Sequence, residues 1–158
     1  GSQGPQGIQG NVGPAGPAGS SDYADFYALM PGDNPGTVAV GNDVEFPRDG
    51  PNSGTGIMRI SNTIFNLTDV GTYEVHFTVS VTQPCQLQLR LNGTGLSSTV
   101  VGRAVSDSQI TGNFLIQTYM SNSTLSVMNM NQGSFGITIT SMAGGNTPVS
   151  AHLVIKKM

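Results

Sequence analysis

Glycine returns at every third position at the start of the chain, at residues 1, 4, 7, 10, 13, 16 and 19 without a miss. Three polyproline II strands can wind around one another only where each third residue leaves the crowded axis free of a side chain. The phase therefore predicts a collagen-type triple helix over residues 1–21, with Gly4, Gly7, Gly10, Gly13, Gly16 and Gly19 at its axis, and a chain that works in threes. A flexible glycine-rich linker is the competing reading, and the strict phase together with Pro5, Pro14 and Pro17 speaks against it. All three prolines directly follow glycine, while Gln3, Gln6, Gln9, Val12, Ala15 and Ala18 hold the third positions, which leaves no site for hydroxyproline. A source without prolyl hydroxylation, such as a bacterium or its virus, is favoured. At about 3 Å per residue the segment spans about 60 Å. So few triplets cannot align three chains unaided, and the rest of the chain must supply the trimer.

Residues 22–158 suffice for one globular domain. There the period changes to two. Tyr73, Val75, Phe77, Val79 and Val81 alternate with Thr72, Glu74, His76, Thr78 and Ser80, the pattern of a half-buried strand. Similar runs occur at 26–30, 37–40, 43–46, 56–60, 63–67, 86–91, 99–105, 109–119, 124–130, 135–140 and 149–155. Turn-forming stretches separate them: 31–36, 47–54, Asn92-Gly93, 121–123 and 144–148. No stretch shows a helical period. The expectation is an all-β jelly-roll sandwich of about ten antiparallel strands.

Charged residues make up 9 % of the chain, with a net charge of -3 and lysine only at Lys156 and Lys157. A nucleic-acid surface is excluded on that balance. No apolar run has the length of a membrane span. The first residues lack the basic and apolar regions of a signal peptide, so the sequence is expected to start downstream of any targeting segment, or Gly1-Ser2 is a cloning scar. The single cysteine, Cys85, excludes an intrachain disulfide and alternates with Leu87, Leu89 and Leu91, so it reads as a small buried hydrophobe.

The pieces Tyr27-Ala-Leu29, Gly36-Thr-Val-Ala-Val40, Asn62-Thr-Ile-Phe65, Gly71-Thr-Tyr-Glu-Val75, Leu91-Asn-Gly-Thr94 and Ala151-His-Leu-Val-Ile155 stand in an order that carries a resemblance. It is to the jelly-roll heads of complement component one-q and tumour necrosis factor, and more closely to the carboxy-terminal domains of bacterial collagen-like exosporium glycoproteins, which coat spores. The sequence departs from that pattern at Ser121-Asn-Ser-Thr124 and in the added 135–140 run. The resemblance implies a homotrimeric head at 22–158 that brings three stalk strands together, located outside the cell on a spore surface, or on a virion tail if the source is a phage. Some relatives carry sugars on threonines of the collagen region, and residues 1–21 contain none.

The candidate site residues are those that break the alternation. In the 109–119 run Ile110, Gly112, Phe114 and Ile116 take the core face, which turns Leu115, Gln117 and Tyr119 outward. In the 124–130 run Leu125 and Val127 take the core face, which turns Met128 and Met130 away. Leu115, Tyr119, Met128 and Met130 are read as trimer contacts, with a local bulge or a flat surface as the alternative. His76 and His152 are expected to share an outer sheet face, either as separate polar residues or, in three copies near an axis, as a metal or pH-sensitive cluster. Asp43, Glu45 and Asp49 read as a solvated loop rather than a calcium site. The triplets at Asn66, Asn92 and Asn122 are potential glycosylation sequons, frequent by chance. No Gly-x-Ser-x-Gly elbow, His/Glu metal motif or suitably placed carboxylate pair is present, so no catalysis and no cofactor are expected. Self-association is the expected partnership. A receptor-binding or adhesive head, recognising a host surface protein or glycan, is the alternative.

Overall fold

The computed structural model describes residues 1–13, 21–130 and 136–158. Gly16, Gly19, the neighbouring Pro14, Ala15, Pro17 and Ala18, and Phe135 lie outside the described residues. Eleven strands are present among the described residues: β1 Tyr23–Leu29, β2 Arg48–Asn52, β3 Ile57–Arg59, β4 Phe65–Leu67, β5 Thr72–Val81, β6 Cys85–Leu91, β7 Thr94–Gly95, β8 Val101–Arg103, β9 Ser108–Gln117, β10 Ser123–Asn129 and β11 Val149–Lys157. The described helix content is a single 3-10 turn at Ser97–Thr99.

The strands form two antiparallel sheets packed as a jelly-roll sandwich. One sheet runs β2-β1-β11-β5-β9, and the other runs β3-β4-β10-β6-β7 with β8 also on β6. The alternation in β5 has a direct physical outcome. Tyr73, Val75, Phe77, Val79 and Val81 are completely buried against Phe65, Leu67, Leu87, Leu89, Leu125 and Val127 of the facing sheet. Each large side chain so buried contributes about 1.5–3 kcal/mol of transfer free energy. Phe65 stacks on Phe26 with ring centroids 4.3 Å apart and meets Phe46 edge-on at 6.2 Å, which ties both sheets to the 43–46 segment. Cys85 is buried in line with Leu87 and Leu89, as its alternation predicts.

Several expected elements differ. The 37–40, 43–46 and 135–140 runs form no strands among the described residues. They touch partners through isolated bridges, Val38 to Ile137, Asp43 to Met128 and Val81 to Ile139. Gly41, at φ +85°, turns the chain between the first two runs and cuts each pairing short. The 47–54 turn instead contains β2, whose Gly50 and Pro51 suit an edge strand that bonds on one side only; its pairing with β1 slips between Ala24 and Phe26 to make room. The 99–105 run shrinks to β8 behind the 3-10 turn. Asn92 (φ 52°) and Gly93 (φ 79°) form the predicted turn, which leads at once into the short β7.

Candidate assembly interface

The register of the first sheet gathers residues that are far apart in sequence. Tyr23 pairs with Lys156, Lys156 with Glu74, and Glu74 with Leu115, so one row crosses β1, β11, β5 and β9. At the same end Met158 donates its amide to the Thr72 carbonyl and Thr118 donates to Gly71. Tyr23, Val70, Leu115, Tyr119, Met120 and Met158 therefore lie toward the same end of this sheet, the end where the chain enters from residues 1–21, and all are exposed. Leu115 is 66 % and Tyr119 85 % exposed.

The edge itself is unusual. β9 is ten residues long, and its sequence SQITGNFLIQ contains no charge and no proline. Natural sheet edges are commonly blunted by lysine, proline, bulges or shortness. On its free side β9 makes no backbone hydrogen bond to another strand among the described residues.

His76 and His152 do share the outer face of this sheet, on the neighbouring strands β5 and β11, where His152 pairs with Thr78 and His76 with Val154. They have different surroundings. The His152 Nε2 is 2.6 Å from Asp25 Oδ1. His76 instead borders a depression of about 240 Å³ with Glu74, Val154 and Lys156. Met128 lies on β10 and Met130 just beyond its end, both half-buried on the other sheet. The six candidates therefore do not form one patch: Leu115, His76 and His152 belong to one sheet face, Tyr119 to the adjoining end of β9, and the two methionines to the opposite side of the sandwich. Sequence reasoning did not collect Val70, Met120, Met158 or Asp25, because no local window contains the signal.

Metal ligation finds no support in a single chain, since no three His, Cys, Asp or Glu side chains gather among the described residues. Asp43 pairs with Arg90 at 2.6 Å and Asp49 with Arg59 at 2.7 Å, while Glu45 offers its backbone amide and carbonyl to the buried Asn34. The three acidic residues thus serve separate contacts. The sequon asparagines converge at one end of the second sheet. Asn66 Nδ2 donates to Asn122 Oδ1 at 3.2 Å, and Asn92 Nδ2 donates to Ser123 Oγ at 3.2 Å while Asn92 Oδ1 accepts from the Thr124 amide at 2.9 Å. Burial pushes the Cys85 thiol up to about 11, which keeps it protonated and unreactive. Among the described residues no helix is long and apolar enough to cross a membrane.

Residues 1–13 are exposed. A Cβ built on Gly1, Gly4, Gly7, Gly10 or Gly13 would meet nothing within 4 Å. Among the described residues, no contact of these five glycines requires the lack of a side chain.

Solved structures with the same fold include murine APRIL at pH 8.5, with 10 % identity over 88 % of this chain and 100 % of that one and a TM-score of 0.58. The globular domain of zebrafish complement 1qA protein has 11 % identity over 87 % and 94 %, with a TM-score of 0.55. The PRD1 vertex protein P5 has 17 % identity over 89 % and 99 %, with a TM-score of 0.59. At these identities the likeness establishes the fold alone. Comparison with curated proteins gives no match. The family model of the BclA C-terminal domain matches residues 32–158, nearly the whole β-sandwich, and the chain belongs to that family.

Proposed function

We propose that residues 22–158 form a homotrimeric head that registers a collagen-like stalk, residues 1–21, as the tip of a surface filament on a bacterial spore. The observation that carries this reading is β9, a long uncharged sheet edge that presents Leu115 beside the exposed Tyr119. Such an edge invites pairing or packing, and a closed ring of copies protects it without forming an open fibre. The glycine phase supports the same number, because a collagen-type triple helix needs glycine at every third position of each of three chains. Membership of the BclA C-terminal domain family, and the resemblance to exosporium glycoproteins read from the sequence, support the spore surface as its location. The role is assembly rather than catalysis: burial between copies holds three stalk strands at high local concentration.

Sedimentation equilibrium of residues 22–158 at micromolar concentration tests the assembly. A particle of three chains is expected, and a monomer overturns the reading. Antibody labelling of intact spores tests the location.

The similarity to a vertex protein favours a second reading, a host-attachment head on a virus particle. Specific binding of the isolated head to host-cell protein or glycan, with no labelling of spores, would select it.

A further inference from the structure

The place where the head meets the stalk is tied down on two sides. On one side the Lys157 amide of β11 donates to the Asp22 carbonyl at 2.8 Å. On the other, Ser53 in the β2–β3 loop grips Tyr23: the Tyr23 amide donates to Ser53 Oγ at 2.9 Å, and the Ser53 amide donates back to the Tyr23 carbonyl at 2.9 Å. The Ser53 hydroxyl proton faces both the Tyr23 carbonyl at 3.2 Å and Asp22 Oδ1 at 3.4 Å. The Asp22 carboxyl fills the space over Gly56, where a Cβ would overlap it. Gly56 is buried, so this contact belongs to the body of the head rather than to a loose loop.

From these contacts we infer that Ser53, Asp22 and Gly56 form an exit clamp, which fixes the point and direction at which each stalk strand leaves the head. The inference rests on the trimeric reading above and adds the means by which the head sets the stalk. Gly19, the last glycine of the period, precedes Asp22 by three residues. Only Ser20 and Ser21 lie between that glycine and the clamped Asp22 in sequence. Opening the clamp removes the Ser53 side of the attachment while β11 still holds the Asp22 carbonyl, so the exit direction of each strand is no longer fixed and the effective concentration at which the three strands meet in a productive geometry falls. Ser53 is a positioning residue, acting on the stalk through Tyr23 and Asp22.

The test compares the full chain with its Ser53→Ala, Ser53→Thr and Gly56→Ala variants. Gly56→Ala is selective because the clashing atoms are the end of one flexible side chain, which can swing out without moving the sandwich. Three quantities are read: particle mass, unfolding of the β head, and melting of the triple-helical circular dichroism signal. Ser53→Ala and Gly56→Ala are expected to keep the trimer mass and the head's unfolding temperature while the stalk melts several degrees lower, with Ser53→Thr restoring it. Hydrogen exchange at the Tyr23 amide should quicken in Ser53→Ala and not in Ser53→Thr. Unchanged stalk melting in both Ala variants overturns the clamp, as does a fall matched by an equal fall in the head's own stability. A trimeric wild-type chain with no triple-helical signal also overturns it. A monomeric wild-type chain instead overturns the trimeric reading beneath it.

Discussion

Asp25 on β1 and His152 on β11 meet at 2.6 Å across a pair of hydrogen-bonded strands, although 127 residues separate them. The contact is diagonal, because Asp25 pairs in register with Val154 and His152 with Tyr27. It joins β1 to β11, on the sheet face beside the proposed interface. Both side chains stay partly exposed, at 29 % and 43 %. A double-mutant cycle with Asp25→Ala and His152→Ala should give a coupling of about 0.5–1 kcal/mol in chemical denaturation. Zero coupling would reduce the contact to coincidence.

Leu115→Glu places a charge on the free edge of β9. The substitution should leave the sandwich folded, since Leu115 makes no contribution to the core. If Leu115 is buried between copies, loss of its side-chain burial costs about 2 kcal/mol at each seam, more with the charge. Sedimentation velocity should show smaller particles than for the wild type, with an unchanged β spectrum. A full-size assembly would remove Leu115 from the interface.

Gly112→Ala acts inside the head. A Cβ there would lie 2.5 Å from the Phe114 ring and 2.7 Å from the Phe77 ring, and Phe77, completely buried in the core, cannot swing aside. Overpacking of this kind costs about 1–3 kcal/mol, read as a lowered denaturation midpoint. An unchanged midpoint would mean that the sheet opens at β9 more easily than its packing suggests.

Cys85 supplies a probe of global unfolding. With its thiol raised to about 11 by desolvation, only about one molecule in a thousand carries a thiolate at pH 8. A thiol reagent should therefore leave the native head unmodified and label it stoichiometrically in denaturant. Fast labelling without denaturant would show that β6 opens locally.

Asp33 predicts an acid-sensitive contribution. The Arg48 guanidinium donates to its carboxylate at 2.5 Å and holds the group below its ordinary 3.8, against the opposing effect of partial burial, with a further bond from the Leu29 amide at 2.8 Å. A carboxyl that is lowered on folding stabilises the head above its unfolded value and loses that effect as pH falls through the folded one. Asp33→Asn should thus lower the melting temperature at neutral pH, and the difference from wild type should close at pH values below 3.8. A difference that persists in strong acid would assign the effect to shape rather than charge.

Much of this architecture can be read from the residues alone, and where reading fails the cause is physical. β5 was legible to its last residue, Thr72–Val81, because five apolar side chains alternate with polar ones over one full strand. β2 was not, since Arg-Asp-Gly-Pro-Asn has the composition of a turn, and only its edge position makes those residues acceptable in a ladder. The segments at 37–46 and 136–140 have strand composition but find partners for one residue at a time. In the candidate site, Leu115 and Tyr119 betrayed themselves by breaking an alternation. Tyr23, Val70 and Met158 did not, for they come from three separate segments that only sheet register brings to one end. The Ser53 clamp was equally hidden, because Ser53 lies about thirty residues from Asp22 and Tyr23 and only the fold brings its hydroxyl to them.

The adjacency of Asp22 and Lys157 has a practical corollary for anyone using this head as a carrier. A peptide fused after Met158 would emerge beside the incoming stalk and crowd it. Cargo grafted into the 141–147 loop, at the far end of the same sheet, would point away from the segment that enters at Asp22.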